Sequence, residues 1–124
     1  MAALPLDRLD LRPGHLAMVR ALLEEYLPKA EVLAFGSRVQ GNGHEASDLD
    51  LVVRRPDAVL EVTTSMAALR EALIDSDLPI RVDLLDWAEI KPSFWSEIER
   101  AYVVVQAAPP VSSEASDQSV GKAS

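Results

Sequence analysis

Apolar residues recur along this chain at two spacings. Leu16, Val19, Leu22, Leu23 and Tyr26 fall at helical intervals, with Arg20, Glu24 and Glu25 off the stripe. That pattern predicts a helix opened by Pro13, whose missing N–H is not needed in a first turn, and stopped by Pro28. Residues 31–35 are a short apolar run expected as a buried strand. Leu49, Leu51 and Val53 alternate with Asp48, Asp50 and Val52, the period of a strand, and Arg54-Arg55-Pro56 closes it. Leu60, Met66, Ala67, Leu69, Leu73 and Ile74 give a helical pattern over 58–75, and residues 80–85 a third strand. Phe94, Trp95, Ile98, Ala101 and Tyr102 predict a short amphipathic helix after Pro92, and Val103-Val104-Val105 a last strand. Between the first two strands, Arg38 to Gln40 makes at most a helical turn before Gly41-Asn42-Gly43 breaks it. So few residues leave no room for a full helical crossover. The expectation is an α+β (α/β) domain, with helices packed on a small antiparallel or mixed sheet.

Length and composition fit that outline. The chain has 124 residues, 48% of them apolar, enough for one core. Residues 1–12 read as an irregular lead-in, 13–106 as the domain, and 107–124, rich in Pro, Ser and Ala without periodicity, as a disordered tail. The net charge of −8 argues against direct nucleic-acid binding. No apolar run reaches membrane length, and no signal peptide is apparent at the N-terminus. Without cysteine there are no disulfides or thiolate zinc sites. A cytoplasmic setting is expected.

The chemistry concentrates in residues 36–50. Gly36-Ser37 turns the chain after the first strand, and glycine-rich turns let backbone N–H groups approach phosphate. After ten intervening residues come Asp48 and then Asp50, on one strand face with Cα atoms about 7 Å apart. Two ionised acids facing one space repel unless a cation sits there. Asp83 lies in the third strand between Val82 and Leu84, an apolar setting in which an unpaired acid is costly. All three are therefore expected to meet at a Mg²⁺ or Mn²⁺ site, since such ions take a few carboxylates and fill the rest of their shell with water and phosphate oxygens. Other residues carry weaker signals. His44 and Glu45 read as exposed loop residues, and Asp86 as a turn cap. Trp87, Phe94 and Trp95 read as core or interface rather than a base-stacking surface. Arg81 either pairs with an acid or contacts phosphate.

The order Gly36-Ser37-x10-Asp48-x-Asp50, followed by Asp83, resembles the nucleotidyltransferase superfamily that includes DNA polymerase beta. The string Ser47-Asp48-Leu49-Asp50-Leu51 is most similar to its minimal nucleotidyltransferase (MNT) branch, over roughly residues 14–105. The resemblance implies that fold, with Gly36 and Ser37 on the nucleotide phosphates. It implies that Asp48 and Asp50 hold two metal ions, and that Asp83 completes the second site and helps activate an acceptor hydroxyl. Arg38, which often follows Gly-Ser in this branch, either assists the phosphates or lies solvated on the surface. Larger members add a helical domain for the acceptor, so here the acceptor is expected on a second chain or to be a protein itself. Minimal domains of this kind are similar to antitoxins of HEPN–MNT modules, which transfer AMP from ATP to a tyrosine of the HEPN toxin. Two alternatives are a small-molecule (aminoglycoside-type) adenylyltransferase and a non-catalytic antitoxin that acts by binding alone. A homodimer or a heteromeric complex is expected.

Overall fold

A computed structural model of the chain describes residues 3–41, 47–55 and 65–108. Its strands are β1 (Ala3–Leu4), β2 (Glu31–Phe35), β3 (Leu49–Arg54), β4 (Val82–Asp86) and β5 (Tyr102–Gln106). Its helices are α1 (Pro13–Tyr26), α2 (Ser37–Gln40), α3 (Met66–Asp75) and α4 (Pro92–Arg100). The strands form one sheet in the order β1-β5-β2-β3-β4. β2 runs antiparallel to β3 and to β5, while β3–β4 and β1–β5 are parallel pairs. The expected mixed sheet with packed helices is what the chain forms.

Alternation along the strands sorts the sheet into two faces. Val32, Ala34, Leu49, Leu51, Val53, Leu84, Val103 and Val105 pack on one side with Val19 and Leu23 of α1 and Leu69 and Leu73 of α3. Leu33, Val52, Trp87 and Tyr102 pack on the other with Ile98 of α4, joined by Phe35, Leu85, Trp95 and Val104. Among the described residues, α1 and α3 cover the first face and α4 packs on the second, the face that also carries the acidic residues.

Several local details differ from the sequence expectation. The lead-in is not wholly irregular: Ala3 and Leu4 pair in register with Tyr102 and Val103, a 3-10 turn follows at Leu6–Arg8, and Leu9 is buried in the core. The helix expected over 58–75 begins only at Met66, because Ser65 ahead of it takes a left-handed conformation (φ 70°) that a continuing helix cannot contain; residues 56–64 lie outside the described residues. β4 starts at Val82 rather than residue 80. α4 ends at Arg100, so Ala101 is its cap and Tyr102 already belongs to β5. His44, Glu45 and the tail from residue 109 also lie outside the described residues.

Polar ties fix the frame. Arg54 and Glu31 are register partners across β3 and β2 and form an ion pair, and the Arg54 guanidinium lies 4.9 Å over the Trp87 ring. Gln106 donates from Nε2 to the carbonyls of Leu27 (2.8 Å) and Ala30 (2.9 Å), clamping the α1–β2 connection to the end of β5.

Candidate active site

The site is built where β2 ends beside the start of β3. Phe35 is the register partner of Asp50, and Asp50 is the register partner of Asp83. The next residue, Gly36, turns out of the sheet at φ 83° and ψ −154°, a backbone region essentially reserved for glycine. A Cβ there would overlap Oδ2 of Asp50 and lie 3.4 Å from its Cγ. The glycine thus has two independent reasons to be there: its dihedral angles, and the carboxylate seated directly against its backbone. Val39 and Gln40 both donate to the Gly36 carbonyl at 3.0 Å, which winds α2 into a single turn opening at Ser37.

Asp48, Asp50 and Asp83 fall on the same sheet face, because Leu49, Leu51 and Leu84 between and beside them point into the opposite core. Asp50 is half-buried. Its carboxyl is pushed above the ordinary value by burial first, then by the charges of Asp83 and of Asp48. Asp50 therefore senses both of the other acids. Asp83, expected in an apolar setting, is instead exposed, because β4 is the edge strand. Asp48 is exposed as well.

The expected convergence on one centre is incomplete. Among the described residues, no three His, Cys, Asp or Glu side chains stand close enough to hold a metal ion. Mg²⁺ in any case takes few protein carboxylates and relies on phosphate oxygens for the remainder. The donor set still fits such an ion. All three residues offer hard oxygen ligands, and burial and two neighbouring charges oppose the charged form of the half-buried Asp50, an opposition a cation would offset.

Of the two readings expected for Arg38, the solvated surface residue is excluded, since it is 5% exposed. Its Nε donates to the Ser47 carbonyl at 3.0 Å and its Nη1 to the Asp10 carbonyl at 2.6 Å, while the Asp10 N–H returns a bond to the Arg38 carbonyl at 2.8 Å. The guanidinium thus fastens the residue just before Asp48 to the N-terminal segment. No local sequence signal marks this role, since its partners are backbone carbonyls 28 and 9 residues away. Arg38→Ala is expected to lower unfolding free energy by about 2–3 kcal/mol, because charged hydrogen bonds to enclosed carbonyls are lost. Urea denaturation would measure it.

The remaining candidates separate cleanly. Asp86 is a buried cap, accepting from the Ala88 N–H at 3.1 Å through Oδ1. Trp87 and Trp95 stack at 5.2 Å and 3° with Trp95 Nε1 donating to the Trp87 carbonyl, which makes them core. Phe94 of α4 meets Phe35, the register partner of Asp50, edge-to-face at 5.8 Å and keeps 36% of its surface exposed. Phe35, which the sequence reading did not single out, could have been found from its place directly before Gly36.

The family described as "Nucleotidyltransferase domain" matches residues 16–108. The chain is 41% identical over 99 residues to a probable protein adenylyltransferase MntA of Haemophilus influenzae (strain ATCC 51907 / DSM 11121 / KW20 / Rd), covering 80% of this chain and 85% of that protein. It shares its fold with a crystal structure of a toxin-antitoxin with AMP-PNP, at a TM-score of 0.60 and 24% identity over 75% of this chain and 73% of the other.

Proposed function

We propose, because this chain belongs to the nucleotidyltransferase domain family, that it moves AMP from ATP to a tyrosine hydroxyl of a partner HEPN-type toxin and silences it as its antitoxin. The relative that is a probable protein adenylyltransferase supports a protein acceptor. The observation that carries the reading is the trio Asp48, Asp50 and Asp83 on one open sheet face, with Asp50 lodged under Gly36 and loaded by the charge of the other two.

Gly36 and Ser37 hold the nucleotide phosphates at the turn, where the missing Cβ gives close access to the backbone. Asp48, Asp50 and Asp83 are the residues that would hold two Mg²⁺ ions, with Mn²⁺ as the alternative. When bound, those ions neutralise triphosphate charge and lower the pKa of the acceptor hydroxyl. Asp83, exposed at the sheet edge, meets that hydroxyl and helps draw off its proton. The acceptor oxygen then bonds to the α-phosphorus as the bond to the bridging oxygen breaks, and pyrophosphate leaves. Arg38 acts by holding the backbone ahead of Asp48. Most of the rate enhancement comes from alignment and charge compensation. Three mutually repelling carboxylates favour catalysis over neutralisation by contact alone, since a purely structural interface has no use for them.

The experiment is incubation of the purified pair with Mg²⁺ and ATP labelled at the α-phosphorus. Label is expected on a tyrosine of the partner and is expected to vanish without Mg²⁺. A folded complex that takes up no label overturns the reading.

A further inference from the structure

We propose that the groove between α3 and the edge strand β4 seats the acceptor protein, taking an extended segment with one apolar and one acidic side chain and bringing its hydroxyl residue to Asp83; this rests on the protein-acceptor reading above. The groove encloses about 370 Å³, and Leu73, Ile74, Leu78, Ile80, Arg81 and Asp83 are among the residues that line it. Asp83 belongs to that lining although its side chain lies on the sheet face opposite α3, so a segment added along β4, which has no strand partner on its outer side among the described residues, would present alternate residues to the groove and to the acid.

Backbone direction sets how a segment would lie. The Leu49 N–H bonds to the Arg81 carbonyl and the Trp87 N–H to the Val53 carbonyl, so odd-numbered residues of this stretch face β3. Val82 and Leu84 then turn their backbone groups outward. Arg70 Nη2 already takes the Leu84 carbonyl at 2.9 Å. The row left for an added strand centres on Val82, the residue directly before Asp83. Edges of this kind recruit extended segments through backbone hydrogen bonds, while alternate side chains supply selectivity.

Side chains define the occupant. Ile74 closes the last turn of α3 with 80% of its surface exposed, an apolar wall the core does not use. Arg70 and Arg81 give the groove two cations against the single carboxylate of Asp83, on a chain of net charge −8. That contrast selects a segment with an apolar anchor and an acid, and it works against a second copy of the same acidic chain.

The test compares wild type with Ile74→Asp and Arg81→Glu, using the purified partner toxin as probe and calorimetry without nucleotide as readout. Ile74 is exposed, so its variant is expected to keep the wild-type melting curve. Each variant is expected to weaken partner binding at least 10-fold and to raise the acceptor KM by a similar factor, with ATP–Mg²⁺ binding unchanged in Ile74→Asp. Unaltered partner affinity in both overturns the groove. So does conversion of a dimer to a monomer by Ile74→Asp with partner affinity intact, which assigns the surface to a second copy. A wild-type chain that fails to bind the partner also overturns it. A wild-type chain that binds the partner but never labels it overturns the function, while the groove is still decided by the binding constants.

Discussion

Asp50→Asn is expected to reduce AMP transfer by about 10³-fold or more while making the unliganded protein more stable. The loss follows from removing one of the carboxylates that hold the catalytic cations, worth several kcal/mol of transition-state charge stabilisation. The gain follows from the same residue's surroundings. Burial, Asp83 and Asp48 all raise the Asp50 carboxyl above its ordinary value of 3.8. In the pH window from that value up to the raised one, the folded chain binds more protons than the unfolded chain. Asp50 therefore makes stability fall as pH rises through the window, with its full penalty present above it. A neutral asparagine removes that dependence. Thermal melts of wild type and variant at pH 4 and pH 7 would show it, with the variant's advantage largest at pH 7. Adding Mg²⁺ and ATP should raise the wild-type melting temperature at pH 7 and have less effect on the variant. A variant that stays as active as wild type removes Asp50 from the metal site.

Gly36→Ala is the second large effect, and it acts on the same carboxylate from the opposite side. The backbone at φ 83° and ψ −154° costs a non-glycine residue about 1–3 kcal/mol. The new Cβ also overlaps Asp50 Oδ2, so the carboxylate must swing away from its present position. A displacement on the order of 1 Å at a reacting centre costs about 10²-fold in rate. The variant is expected to fold, to melt lower, and to lose transfer about 10²-fold, chiefly through kcat. Pairing the two substitutions distinguishes position from backbone strain. If Gly36→Ala acts by moving Asp50, Gly36→Ala/Asp50→Asn should be no less active than Asp50→Asn alone, while its melting temperature falls by a similar amount. Full additivity in activity would assign the glycine a role independent of that acid.

What could be read from the sequence was what local chemistry dictates. Pro13 and Pro28 bound α1, and residues 31–35 form β2 as expected, because each boundary is set by neighbours a few positions away. The alternation of Asp48 and Asp50 with Leu49 and Leu51 correctly sent the acids to one face. The family to which the chain belongs was legible from the spacing between Gly36-Ser37 and those acids. Contacts spanning long stretches of chain were not legible. β1 exists because Ala3 finds Tyr102, almost the whole chain away, and a two-residue strand has no period to detect. Asp83 looked buried from its apolar neighbours, but strand order put it at the edge. The acids' shared face could be inferred from periodicity, whereas how closely they approach could not, since that depends on side-chain placement across β3 and β4 rather than on spacing along the chain.

The reciprocal bonding of Arg38 and Asp10 carries a practical consequence for handling this protein. The start of the chain is buckled to the backbone immediately ahead of Asp48. Trimming residues up to Asp10, or fusing a bulky tag that drags on them, should slacken nucleotide chemistry even though no residue ahead of Gly36 is assigned to it. A purification handle therefore belongs at the other terminus.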